Sequence, residues 1–283
     1  MTNLIKGVDI SVIQGNVDFN AVAATGVQFV VCRCGVGNGG KDTLYDTNIA
    51  KAKAAGLKVM AYNFIYPLPP QAGQPLRDPK KQAALHVGWA NGELAACDLE
   101  WPTPDQWAKW GCSAAQIVQW TIDYLEEYER LSGIRPIVYT YPNFADNIKL
   151  PAEFGQKYKL WIASYTNTPR IPSPWTDWVM WQYGSAGPYK LPNGAPVDVD
   201  YVKDLSLWDS ATPAPQPAPP PPDPTPAPPD PTPDPAPQPD PTPDPTPAPT
   251  PAPIVVAAPA SSNIFAVIWA FIQNLLNSLF KRG

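Results

Sequence analysis

Two carboxylates, Asp98 and Glu100, stand two residues apart in the stretch Ala95-Ala96-Cys97-Asp98-Leu99-Glu100-Trp101. The stretch reads as a short apolar strand. In an extended chain both acids point to one side, and Cys97 and Leu99 to the other. Their Cα atoms are then roughly 6.5 Å apart, two steps of about 3.3 Å. At that range the ionisations couple, so one group is favoured as an acid and the other as an anion. Such a pair is what cleavage of a glycosidic bond requires. An isolated D-x-E is also common at solvated strand ends, so its meaning rests on what other elements bring beside it.

The order of those elements points to α/β architecture. Lys6 to Ser11 (KGVDIS) reads as a first strand, and Asn20 to Thr25 as a short helix stopped by Gly26. Gln28 to Gly35 (QFVVCRCG) is a second strand, followed by a Gly-rich loop to Gly40 that lacks the Lys-Ser/Thr of a phosphate cradle. A helix over Thr43 to Ala55 and a third strand over Leu57 to Tyr66 come next. Asp78 caps a helix with Pro79 at its first position, ending near Gly92. The D-x-E strand is fourth. Ser113 caps the longest helix, Ala114 to Ser132, with Ile117, Trp120, Thr121, Tyr124, Leu125 and Tyr128 as its apolar face. Strands five to eight are Arg135 to Tyr141, Leu160 to Tyr165, Trp178 to Tyr183 and Pro196 to Val202. Alternation with helices through the first five units argues a parallel sheet. Later connections are too short for full helices, so the expectation is an irregular TIM-like β/α barrel over residues 1–210.

A barrel of this kind builds its site from residues at the C-terminal ends of its strands. Applied strand by strand, that rule collects Asp9, Tyr62, Asp98, Glu100, Tyr139, Tyr165, Trp181, Gln182, Asp198 and Asp200. Acids beside flat aromatic faces suit a sugar, whose ring faces stack while its hydroxyls take hydrogen bonds. Glu126, Glu127 and Glu129 read as a solvated helix face.

Composition removes other chemistries. The chain has 283 residues, and its 40 prolines concentrate between Ala211 and Pro253. The formal charge of -5 owes much to Asp223, Asp230, Asp234, Asp240 and Asp244 in that tract, and no basic footprint for nucleic acid is present. His86 is the only histidine, which excludes His-based triads and sites needing two His ligands. Cys32, Cys34, Cys97 and Cys112 lack metal-binding spacing and read as thiols rather than a disulfide framework. No metal or cofactor is expected. The N-terminus lacks an apolar h-region, so no cleavable signal peptide is expected either.

Several motifs in order resemble glycoside hydrolase family 25: GVDIS-x-x-QG at 7–15, the strand-four DLE, PIVYTYPNF at 136–144, LWIASY, WQYG and VDVD. The resemblance covers roughly residues 4–208. Members are muramidases (lysozymes) of phage endolysins and bacterial autolysins. It implies a modified β/α barrel that hydrolyses the β-1,4 bond between N-acetylmuramic acid and N-acetylglucosamine. By the same resemblance Glu100 is the general acid/base. Asp98 orients or charge-stabilises the substrate's 2-acetamido group, in a retaining, substrate-assisted reaction. Asp9 and Asp198 complete the acidic site. Two positions depart from the pattern: Asn63 stands where the family often has His, and Asp200 where it often has Asn. Rival readings are a chitinase-like glycosidase, disfavoured by Ala96 where a further acid is expected, and a non-catalytic wall-binding module tethered to a membrane.

Residues 211–253 favour polyproline II, a disordered, semi-rigid linker reaching on the order of 130 Å if fully extended. Within 254–283, Asn263 to Phe280 is strongly apolar with a narrow polar stripe, the pattern of a C-terminal amphipathic helix with Lys281 and Arg282 at its end. Eighteen residues of helix give about 27 Å, marginal for spanning a bilayer. Gln273, Asn274 and Asn277 favour an interfacial or membrane-inserting helix over a true span. The expected partners are bacterial peptidoglycan and, through the tail, a lipid membrane. The expected protein is a monomer made in the cytoplasm that acts at the cell wall or periplasm.

Overall fold

The computed structural model describes residues 4–68, 78–104, 106, 111–184 and 190–209. The chain divides into two units, Met1–Pro221 and Pro222–Gly283. The expected linker over 211–253 and helix within 254–283 lie outside the described residues.

Among the described residues nine strands form one sheet: β1 (Ile5–Ile10), β2 (Phe29–Val36), β3 (Gly40–Lys41), β4 (Lys58–Phe64), β5 (Ala95–Asp98), β6 (Ile137–Thr140), β7 (Leu160–Ala163), β8 (Met180–Gly184) and β9 (Asp198–Val202). Their order is β1-β9-β8-β7-β6-β5-β4-β2-β3, and a pairing of β1 with β2 closes eight of them into a barrel. The small β3 folds back on β2 as a hairpin, where a plain Gly-rich loop was expected.

One expectation is corrected. The sheet is not wholly parallel, because β9 runs antiparallel to both β1 and β8. The other barrel pairings are parallel. A parallel return needs a crossover that carries the chain back along the barrel, usually a helix. No helix stands between β8 and β9 among the described residues, and the chain enters β9 from the end it has just reached. It is therefore the start of β9, not its end, that lies where the parallel strands end.

The helices are α1 (Phe19–Ala24), α2 (Tyr45–Ala54), α3 (Pro79–Ala90), α4 (Ala114–Ser132), α5 (Pro142–Ile148), α6 (Ala152–Lys157) and α7 (Ser206–Asp209). Local signals set their ends. Asp78 accepts from the backbone N–H groups of Lys80 and Lys81, with Pro79 first in α3. Ser113 and Gln116 form a capping box on α4, and Gly133 ends it at φ 70°. The six residues of the expected apolar face of α4 are all buried. Trp120 and Tyr124 stack there at 5.7 Å.

The strands alternate between two cores. Val30, Cys32, Cys34, Ala61, Cys97, Leu99, Val138 and Ile162 face the helices. Phe29, Val31, Met60, Ala96, Met180 and Val202 fill the barrel interior. Gly7 admits that filling: a Cβ there would lie 2.2 Å from the Phe29 ring. The same alternation carries each inward row upward from apolar floor to polar mouth, Gly7 to Asp9, Ala96 to Asp98, and Val202 back to Asp200 and Asp198. His86, buried on α3, bridges the Tyr124 hydroxyl at 2.7 Å and the Gly37 carbonyl at 2.8 Å. Burial lowers its pKa to about 3, so it is a neutral structural link.

Candidate active site

Asp98 is the last residue of β5, and the backbone keeps pairing past it. Leu99 N donates to Tyr139 O at 2.9 Å, and Ile65 N donates to Asp98 O at 3.2 Å. The alternation therefore persists through Leu99, which is buried against the helices, and Glu100 falls on the same inner side as Asp98. Asp98 is buried, and its Oδ1 meets no protein donor among the described residues. Burial, then the charges of Glu100 and Asp9, push its pKa well above the carboxylate range, with Arg33 pulling the other way. Glu100, partly exposed at the mouth, is raised to about 7 by burial and by Asp9. Burial and repulsion among the carboxylates thus raise both members of the pair above the ordinary carboxylate range.

A second acid pair lies opposite. Asp9 on β1 takes Gln182 Nε2–H at 2.8 Å. Gln182 is itself aimed by two phenols, Tyr139 OH at 3.0 Å and Tyr165 OH at 2.7 Å, both donating to its Oε1. Asp200, fully buried on β9, takes Trp161 Nε1–H on Oδ1 at 2.8 Å. Among the described residues no donor is fixed on its Oδ2, and the neighbouring Asp9 carboxyl is placed to share a hydrogen bond with it. Two carboxylates cannot share such a bond unless one carries the proton. Asp200 is that one: burial first, then the Asp9 charge, raise it well above the ordinary value. Asp9 is raised by burial to about 6. A protonated Asp200 accepts from Trp161 and donates to Asp9, the pattern an asparagine would make. The departure at this position therefore leaves the network intact.

The remaining expected residues divide. Asp198, at the start of β9, is the register partner of Asp9 and acts electrostatically on Asp200 and Tyr165. Tyr62 and Tyr139 flank Trp161 with ring centroids 6.3 and 4.7 Å away. Trp181 is not brought to the site. It neighbours Gln182 on β8 and so faces the other way, packing with Trp178, Tyr183 and Tyr201, with its Nε1–H given to Ser164 O at 2.7 Å. Asn63 likewise faces the helices, bonded to the Cys34 thiol, so its departure from the family pattern does not line the barrel mouth.

Two residues of the site, Trp161 and Arg33, were missed. Trp161 shares the inward phase of Ala163 and Tyr165, which extension of the alternation along LWIASY would have found. Arg33 is a cation on the inward phase of the otherwise apolar β2, and that oddity was its signal. Tyr141, after β6, feels the charge of Glu100. Among the described residues no cluster of His, Cys, Asp and Glu could hold a metal ion. A cavity of about 470 Å³ opens at the opposite end of the barrel, around Ile134, Tyr158, Trp175 and Trp178. Of the carboxylates only Asp177 reaches it, so it is not the acid site.

Comparison with known proteins agrees with this architecture. Lysozyme M1 of Streptomyces globisporus is 24% identical over 191 residues, covering 66% of this chain and 64% of that protein. The autolytic lysozyme of Clostridium acetobutylicum is 31% identical over 185 residues, covering 65% of this chain and 51% of its own length. The chain thus spans less than two thirds of either relative. The bacterial lysozyme structure from Streptomyces coelicolor superposes with a TM-score of 0.64 at 22% identity, covering 75% of this chain and 100% of that one, a likeness of fold. The family model for glycosyl hydrolases family 25 matches residues 8–190, a span that holds Asp9, Asp98, Glu100 and Gln182, and the chain belongs to that family.

Proposed function

We propose that this barrel hydrolyses the β-1,4 bond between N-acetylmuramic acid and N-acetylglucosamine in bacterial peptidoglycan. The observation that carries the reading is Glu100, a partly exposed carboxylic acid raised to about 7 within a ring of carboxyls and phenols. A general acid works best with a pKa near the working pH. Glu100 protonates the leaving oxygen as the bond from C1 breaks, and the carbonyl oxygen of the substrate's own 2-acetamido group attacks C1. Asp98 accepts the acetamido N–H and balances the cation that forms. Glu100, now a carboxylate, takes a proton from the water that opens this ring, which returns C1 to its starting configuration. Asp9, Asp198 and Asp200 shape the acidic wall, and Tyr62, Tyr139 and Tyr165 the aromatic one.

Analysis of the new reducing ends separates this reading from the chitinase-like one. Digested peptidoglycan is expected to carry N-acetylmuramic acid at its reducing ends, with chitin left intact. Reducing N-acetylglucosamine, or chitin cleavage at a comparable rate, would overturn it. A pure wall-binding module would release neither.

The sequence of 254–283 supports a role at membranes close to the wall, through an amphipathic helix with a cationic end. The full chain is expected to release dye from liposomes containing anionic lipid. A chain ending at Ser210 is expected to release none while keeping its wall activity. Equal leakage from both would remove the tail from the proposal.

A further inference from the structure

Arg33 lies on the inner face of β2, two residues beyond Val31 of the barrel floor, and is the register partner of Tyr62 on β4. On one flank, Val31 pairs with Asp9 of β1. On the other, β4 is followed by β5 and Asp98. Arg33 therefore stands at the barrel mouth between Asp9 and, across Tyr62, Asp98.

Its head group is anchored rather than loose. Asp42, whose side chain is 1% exposed, takes Arg33 Nη2 at 3.0 Å and Nε at 3.1 Å on the same oxygen. Asp42 is fixed in turn by Val12 N–H at 2.9 Å and Leu44 N–H at 3.0 Å. A carboxylate fixed by this many donors holds the guanidinium in one place. The hairpin that forms β3 delivers Asp42 to this position, with Asp42 N–H bonded to Cys34 O at 2.9 Å.

The groups facing Asp98 are Glu100 from its own segment, Asp9 from β1, Tyr62 from β4 and Tyr66 just beyond it, Tyr139 from β6 and Arg33 from β2. Only Arg33 among them favours the carboxylate over the acid. We infer that Arg33, locked on Asp42, is a positioning residue that sets the charge Asp98 presents to the substrate. A neutral Asp98 offers the acetamido N–H a weaker acceptor and leaves the developing cation unbalanced. The inference rests on the role proposed above for Asp98.

The test is the pH profile of kcat/KM on purified peptidoglycan, using the full chain. Arg33→Gln is expected to move the acid limb upward by about one pH unit, costing about tenfold in kcat/KM below the limb. Arg33→Lys, which keeps the charge, is expected to restore the limb to its wild-type position even if KM rises. A purely structural Arg33 would lower melting temperature in both variants and leave the limb in place, and that result overturns the inference. Arg33→Gln strands a buried Asp42 charge; should it fail to fold, Arg33→Gln combined with Asp42→Asn removes both charges, and the limb is expected to move in the same direction. Asp98→Asn keeps the two ideas apart. If it retains activity, the role of Asp98 fails and this inference with it. If it is inactive while Arg33→Gln keeps the wild-type limb, only the inference about Arg33 fails.

Discussion

Glu100→Gln is expected to abolish clearing of peptidoglycan suspensions, with the rate lowered by on the order of 10³-fold and the fold unchanged. Glutamine matches the shape of the acid and can accept hydrogen bonds, but it cannot give a proton to a leaving oxygen. Glu100 is partly exposed at the end of its strand, so circular dichroism should be that of the wild type. The electrostatics predict a further sign. Burial and the Asp9 charge raise Glu100 from 4.5 to about 7, so its ionisation at neutral pH works against the fold. The variant should melt no lower than wild type at pH 7.5. Near-native clearing by Glu100→Gln would sink the assignment of the proton donor.

The carboxyl cluster is expected to make the protein lose stability as pH rises from about 4 to about 7. Asp9 is raised from 3.8 to about 6 and Glu100 to about 7, and Asp98 and Asp200 are raised well above their usual values. In that window the folded state holds more protons than the unfolded chain, so stability falls with rising pH. The contribution is fully present below the unfolded values and is lost as pH passes through the folded ones. Asp9 alone, with a shift of about two units, corresponds to roughly 1–3 kcal/mol. For a domain of this size that is a fall of about 3–10 °C in melting temperature. Asp200→Asn is the sharp test. Its amide donates to Asp9 and accepts from Trp161 without needing a proton, so it should raise the melting temperature at pH 7.5 and flatten the slope. A slope identical to wild type would show that Asp9 and Asp200 do not share a proton.

Periodicity in the sequence was sufficient for the elements themselves. The apolar face of α4, the caps at Asp78 and Ser113, and the eight barrel strands all depend on contacts within a few residues, and such signals survive in a linear reading. Period-two alternation also placed Asp98 and Glu100 on one face. Applied consistently, it would have rejected Trp181, because neighbours in a strand cannot both point inward. Its neighbour Gln182 is the residue that reaches Asp9.

Tertiary structure decided the rest. The direction of β9 depends on pairing with β8 and with β1, at the far end of the domain's chain, and that direction puts Asp198 at the barrel mouth beside Asp9. Proton positions were equally beyond a linear reading. A lone Asp200 reads as an ordinary carboxylate; buried against Asp9 and Trp161, it becomes an acid that behaves as an asparagine. Arg33 announced itself in the sequence only as a misplaced charge. The fold gave it a partner in Asp42 and set it between two carboxyls. Which residues face inward is a property of the strand, legible in the chain. Which charges those residues carry is a property of burial and neighbours, and both exist only once the barrel closes.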